Sequence, residues 1–307
     1  MINRLLIRIK TAQLVYAYMQ GSMDRLTCDD QLANSLEAGY ELYNYLLALI
    51  VKVTDYRRMQ LETGKKKFMP SLEERRPNTR FADNRVAVMI AEKSHVLEYC
   101  EEHKLLNDFD TEMYRSLLDQ IMETEAYKRF MAQAEPPTFE DEKTLWKEIF
   151  QQVINNNIKL DEALEEKRLY WNDDLATITE FVIKAINKLK EDAEEVKLAP
   201  MFSREDDRKF AMELFHHAID EAQEYEALIG KNASNWHIDR MPLMDKVIMI
   251  TALAEIKNFF DIPTRISMNE YIELAKHYCA LDTARFVNGI LDKIVKEWKK
   301  EGVITKA

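Results

Sequence analysis

Glycine and proline are scarce in this chain, with six glycines and seven prolines among 307 residues. Sheets and tight hairpins use these residues at their turns, so their scarcity favours long helices. No segment shows a sustained two-residue alternation of apolar and polar positions, which would indicate strands. The sequence therefore predicts an all-α protein built as a helical bundle.

Cysteine is also rare, and long uncharged runs are missing. The three cysteines, Cys28, Cys100 and Cys279, are odd in number and form no C-x-x-C pair, which argues against a disulfide framework or a zinc ribbon. No run of eighteen uncharged apolar residues predicts a membrane span, and the first twenty residues lack a secretory cleavage pattern. We expect a cytoplasmic protein with no membrane partner.

Sequence signatures of common enzymes are absent. No dinucleotide-binding or phosphate-binding glycine motif occurs, and neither do the nucleophile-elbow and zinc-protease motifs. Two E-x-x-H pairs, Glu92 with His95 and Glu213 with His216, leave open a di-iron helical bundle as an alternative. With 54 acidic residues on long helices, chance pairing explains them better. We expect no catalytic residue, no cofactor and no metal.

The charge is unevenly distributed. The net charge is -11, so nucleic acid would have to meet a local basic patch or a site shared with a basic partner. The first predicted helix, residues 3–20, carries Arg4, Arg8 and Lys10 and no acid. Residues 57–85 hold nine basic and four acidic side chains, a net of +5, and are predicted to be a basic loop between helices.

Helix signals are clearest in the last third. A helix is predicted from Ser203 to Ile229, ending at Gly230. A second spans residues 242–260, begun by a proline. A capping box at residues 267–270 predicts the start of a third helix that reaches Tyr278, and Asp282 is predicted to cap the last one, which ends near residue 300.

Two motifs in this third resemble the NusB family. The run I-S-M-N-E-Y-I-E-L-A-K at residues 266–276 is similar to the family's I-N-E-A-V-E-L-A-K helix. The run R-F-V-N-G-I-L-D-K at residues 285–293 is similar to its K-F-V-N-G-V-L-D-K. Arg8 and the Q-L-V-Y run at residues 13–16 resemble its opening helix. The resemblance covers residues 3–20 and 203–300.

The resemblance implies a two-subdomain NusB-like fold, here with an additional helical insertion. It also implies a non-catalytic function in transcription antitermination and ribosomal RNA biogenesis. The implied partners are boxA-type RNA of the ribosomal RNA leader, the small-subunit ribosomal protein NusE, and the RNA polymerase antitermination complex. By position, the expected RNA-binding residues are Arg4, Arg8, Lys10, Asp282, Arg285 and Phe286. The expected partner-binding residues are Tyr16, Asp239 and Asp245.

The chain departs from the family in its length and in its opening helix. Leu5 and Leu6 occupy positions where arginines are usual, and the chain is about twice the usual length. We expect four segments: the first helix at 1–22, an extended helical region at 23–200, a NusB-like subdomain at 201–300 and a tail at 301–307. The basic loop is a hypothetical substitute for the missing arginines. A helical adaptor with no RNA function is the main alternative.

Overall fold

The computed structural model describes residues 1–106, 110–155, 157–171, 174–233, 240–280 and 283–306. Within these ranges the chain is all-α, as predicted, and the one isolated β-bridge joins Ile2 and Phe202. No helix in the described ranges is long and apolar enough to cross a membrane. The chain divides into two compact units, residues 1 and 37–201, and residues 2–36 and 202–307.

The second unit, which we call the terminal unit, joins the beginning of the chain to its end. Its helices are α1 (Arg4–Met19), the first turns of α2 (Cys28–Lys65), α11 (Asp207–Asp220), α12 (Ala222–Asn232), α13 (Leu243–Asn258), α14 (Thr264–Tyr278) and α15 (Thr283–Glu301). Helix α13 lies at the centre and contacts α1, α11, α12, α14 and α15. Its apolar run from Val247 to Leu253 is buried on every side, as expected of a helix enclosed by others.

The first unit, which we call the middle unit, contains the rest of α2 and the helices that follow it. These are α3 (Leu72–Arg75), α4 (Arg85–Lys93), α5 (Val96–Glu102), α6 (Asp110–Glu123), α7 (Glu125–Met131), α8 (Phe139–Ile149), α9 (Ile158–Lys167) and α10 (Leu175–Lys188). Aromatic contacts mark its core, with the Phe81 ring 5.5 Å from Trp146 and 5.4 Å from Tyr127. Trp146 and Phe81 are almost completely buried.

The predicted basic loop contains more helix than expected. Helix α2 continues to Lys65, and α3 follows with a capping box in which Ser71 and Glu74 satisfy each other's backbone N–H groups. The S-x-x-E spacing that produces this box is visible in the sequence, but the loop prediction overlooked it.

Two other helix signals were wrong in the terminal unit. The helix predicted to end at Gly230 is instead two helices, α11 and α12, and Gly230 lies inside the second. Helix α14 begins at Thr264, directly after Pro263, so residues 267–270 do not cap it. Pro263 already sets the helix start, because proline lacks the N–H that a first turn leaves unsatisfied. This releases the Ser267 hydroxyl for another contact.

Candidate nucleic-acid and partner interface

Arg8 lies at the centre of a buried ion-pair network that joins α1 to α13. Its Nε donates to Glu255 Oε2 at 2.8 Å and its Nη2 to Glu255 Oε1 at 2.7 Å. The side chains of Arg8 and Glu255 are 4% and 0% exposed. A third contact runs from Nη1 to Glu270 Oε2 at 3.3 Å. This two-pronged pairing is the strongest geometry for an arginine–carboxylate contact.

Two hydroxyl groups from α14 complete the network. Ser267 Oγ donates to Glu255 Oε1 at 2.7 Å, and the Tyr271 hydroxyl donates to Glu255 Oε2 at 3.1 Å. Burial alone would lower the pKa of Arg8, but the hydrogen bonds and charge of Glu255 raise it above its usual value. Burial, and then the charge of Glu255, raise the pKa of Tyr271. Arg8 therefore stays charged and holds three helices together.

This placement does not suit direct contact of Arg8 with RNA phosphate, the role that the resemblance implies. The guanidinium is buried and directed at Glu255. Lys10 is also buried, with 1% of the residue exposed. The sequence could not reveal this, because the acid that takes up the charge of Arg8 lies 247 positions away.

Arg4 is the most accessible of the three basic residues on α1, and its side chain is 22% exposed. Its guanidinium lies 4.8 Å from the centre of the Phe210 ring. Its Nη2 is 3.3 Å from Asp261 Oδ2, and its Nε is 3.7 Å from the buried Asp207. Two carboxylates therefore offset its charge, so the first turn of α1 offers little free positive potential.

Asp245, a predicted partner-binding acid, is 6% exposed and lies in the first turn of α13. A carboxylate there is favoured by the partial positive charge of the helix N-terminus. It also accepts a hydrogen bond from the Cys279 thiol, and burial together with this bond raises the pKa of Cys279 to about 12. Asp245 thus links the start of α13 to the end of α14 and is not presented to a partner.

Arg285 and Phe286 lie in the first turn of α15, with Arg285 exposed and Phe286 half-buried. The tail after α15 returns to the end of α13, where Lys306 Nζ donates to the carbonyl of Phe259 at 2.6 Å. From Phe286 to the end of α15 is about 22 Å at the ordinary helical rise. Arg4 touches Asp261, just beyond that same end of α13. Arg285 and Phe286 therefore lie at the opposite end of the terminal unit from Arg4.

Two exposed residues that the sequence reading did not select precede the α14–α15 turn. Lys276 and His277 form the last turn of α14, and Lys276 pairs with Glu273. Positive side chains are favoured at a helix C-terminus, which is a signal the sequence does carry. Together with Arg285 they make this turn the more basic end of α14 and α15.

The other predicted site residues add less. Tyr16 is half-buried on α1. Asp239 and Asp282 lie outside the described residues, and their assignments remain predictions. The two E-x-x-H pairs do not come together: His95 contacts Glu98, and His216 contacts Asp29. No group of three metal-binding side chains positioned to hold an ion occurs in the described part of the chain.

Comparison with known proteins assigns the family. The sequence model of the NusB family matches residues 175–296, from the start of α10 to the last turns of α15. The transcription antitermination protein NusB of Chloroherpeton thalassium is 38% identical over 100 residues, which cover 33% of this chain and 47% of that protein.

The same protein of Dictyoglomus thermophilum is 37% identical over 100 residues, which cover 31% of this chain and 69% of the relative. That of Thermodesulfovibrio yellowstonii is 39% identical over 92 residues, covering 30% and 61%. The chain thus spans about half to two thirds of the length of these relatives. No solved structure matches it. The identity to relatives of this name, over most of the length of one of them, shows that the chain belongs to the NusB family.

Proposed function

We propose that this protein is a transcription antitermination and ribosomal RNA biogenesis factor of the cytoplasm. It binds boxA-type RNA of the ribosomal RNA leader together with NusE and joins the RNA polymerase antitermination complex. The observation that carries the proposal is the 37–39% identity to proteins named transcription antitermination protein NusB. The region involved contains the helices that form most of the terminal unit.

The first turn of α15 is the main RNA contact in this proposal. Arg285 is exposed there, and the N-terminal end of a helix carries partial positive charge that favours phosphate. Phe286 beside it is half-buried, so part of its ring is available for stacking against an unpaired base. Lys276 and His277 across the turn add positive charge. Asp282, predicted to lie at the same turn, keeps its proposed place in the RNA site.

Helix α1 has a different role in this proposal. Arg8 and Lys10 are buried, so they fix the position of α1 and do not contact phosphate. Arg4 is partly accessible and is retained as a weak contribution to RNA binding. The resemblance assigned all three residues to RNA, whereas the contacts favour a site centred on α15.

NusE binding is supported by charge balance. A chain of net charge -11 attracts a basic ribosomal protein, and such a partner reduces the repulsion that the chain exerts on RNA. Tyr16 and Asp239 remain the proposed contacts. Asp245 is removed from the set, because its carboxylate is occupied by the Cys279 thiol.

The test is a titration of labelled boxA RNA with the full chain, in the presence and absence of NusE, for Arg285→Glu. The matched control is Lys299→Glu, the same charge reversal at an exposed position near the other end of α15. We expect Arg285→Glu to weaken binding about tenfold and to reduce the dependence on salt, since a phosphate contact is lost. The control should bind as the unmodified protein does.

Two outcomes would reject the proposal. If the unmodified chain with NusE does not prefer boxA RNA to a scrambled sequence, the function is wrong. If NusE binds but RNA does not, the chain is a protein adaptor, the main alternative from the sequence.

A further inference from the structure

The most strongly basic exposed segment of the chain lies outside the family match, at the end of α2. Residues 65–76, which we call the α2 tip, contain five basic and two acidic side chains, a net of +3 in a chain of net charge -11. All five basic residues are exposed. The tip therefore presents an isolated region of positive potential.

Internal contacts give the tip a defined shape. Glu74 accepts hydrogen bonds from the Ser71 backbone and from Lys67 Nζ, and the Ser71 hydroxyl accepts one from the Glu74 backbone. The bond from Lys67 is the main reason that the pKa of Glu74 lies below its usual value. Glu74 thus ties the connecting turn to α3.

These contacts also show which charges are free. Lys67 is paired with Glu74, and Lys65 pairs with Glu62 at 2.8 Å. Lys66, Arg75 and Arg76 form no ion pair with any described residue. Three exposed cations within eleven residues are thus available to an outside anion. By contrast, the cations of α1 are buried or already beside carboxylates.

Exposed apolar side chains lie among these cations. Phe68 is 99% exposed, Met69 81% and Leu72 83%. A fully exposed phenyl ring next to three successive lysines matches the two requirements for holding single-stranded nucleic acid. These are cations that follow the phosphate backbone and an aromatic face on which a base stacks.

We propose that the α2 tip is a second RNA contact, which binds a single-stranded segment through Lys66, Arg75 and Arg76 and stacks a base on Phe68. This rests on the proposed function, because it extends the RNA bound by the terminal unit to a site in the middle unit. RNA is favoured over a protein partner because the apolar residues sit on a turn. They do not form the i, i+3, i+4 ridge that fits a protein groove.

The charge test uses the triple variant K66E/R75E/R76E. Its matched control is K159E/K188E/K190E, which reverses three exposed lysines elsewhere in the middle unit. Both variants are titrated with boxA RNA carrying a single-stranded flank, with scrambled RNA of equal length, and with NusE. We expect the tip variant to bind both RNAs at least tenfold more weakly. Its plot of log affinity against log salt should be shallower by about two, or roughly 0.7 for each phosphate lost.

The stacking test uses Phe68→Leu and Phe68→Trp. Leucine keeps the apolar surface but loses the aromatic face, so RNA affinity should fall about tenfold. Tryptophan keeps that face and should preserve the affinity. If leucine binds RNA as well as phenylalanine does, stacking is refuted.

The outcomes separate this proposal from the proposed function. If boxA RNA and NusE bind normally but the tip variant equals its control, the tip proposal fails and the proposed function stands. If RNA binding depends on the tip but shows no preference for boxA and no NusE binds, the tip proposal stands and the proposed function fails. If the tip variant loses NusE and keeps RNA, the tip is a protein-docking surface and the proposal is overturned.

Discussion

Helix α1 and the α2 tip both carry clustered basic residues, but the structure uses them in opposite ways. Arg8 is buried and takes up both oxygens of Glu255. Lys66 and Arg76 are exposed and form no ion pair with a described residue. The difference teaches that basic residues in a motif identify a binding surface only after their acidic neighbours are known. The first cluster stabilises the fold, and the second is available for a ligand.

The largest effect that would sharpen this contrast is on stability at Arg8. Replacing Arg8 with alanine leaves the Glu255 carboxylate buried without its cation, so we expect a loss of about 3–5 kcal/mol in the free energy of unfolding. Urea denaturation measures it, with Arg285→Ala as an exposed control expected to cost less than about 0.5 kcal/mol. A stable Arg8→Ala protein that has lost RNA affinity would break the comparison.

The next effect concerns the acid at the other end of α13. Because burial and Asp245 raise the pKa of Cys279 to about 12, its thiolate is rare at pH 8. After allowing for the greater nucleophilicity of a more basic thiolate, iodoacetamide should react on the order of fiftyfold more slowly than with a free thiol. The rate should still be rising with pH above 10.

Asp245→Asn provides the matched test. Removing the negative charge lowers the pKa of Cys279 and should speed its alkylation, with mass spectrometry identifying the modified cysteine. Cys28 and Cys100 are fully buried and serve as internal references. Unchanged reactivity of Cys279, with NusE binding lost, would mean that Asp245 faces the partner after all.

A smaller effect is expected from the hydroxyl groups around Glu255. Tyr271→Phe removes the hydrogen bond to Glu255 Oε2 without changing the shape of the ring. Because the acceptor is charged, we expect a loss of about 1.5–3 kcal/mol in unfolding free energy. Tyr16→Phe, on the half-buried Tyr16 of α1, is a conservative control that should change stability less. Equal stabilities of the two variants would show that the network does not depend on Tyr271.

The smallest stability effect is expected at the α2 tip. Lys66 and Arg76 are exposed and form no ion pair with a described residue, so K66E/R75E/R76E should change the free energy of unfolding by less than about 0.5 kcal/mol. The same variant should lose RNA affinity strongly. A large loss of stability would mean that these cations hold the fold together, as Arg8 does.

Local sequence signals located the helices well where prolines set their limits. Helix α1, predicted at 3–20, spans Arg4–Met19, and α13, predicted at 242–260, spans Leu243–Asn258. The prediction failed where two local signals competed. Pro263 begins α14 three residues before the apparent capping box, which leaves Ser267 for Glu255.

The site was less predictable, because a charge is neutralised by residues that are distant in sequence. Nothing near Arg8 in the sequence indicates its burial, and nothing near Asp245 indicates the Cys279 thiol 34 positions later. Exposure of Arg285 fits the family resemblance. The α2 tip was detectable from composition alone, since its net positive charge contrasts with the acidic chain.

Ultraviolet cross-linking of the complex of this chain, NusE and boxA RNA, with mass-spectrometric mapping of the linked residues, tests the central claim most directly. The account predicts cross-links at the start of α15, around Phe286, and at Phe68 in the α2 tip. Cross-links confined to the beginning of α1, with none at α15, would contradict it.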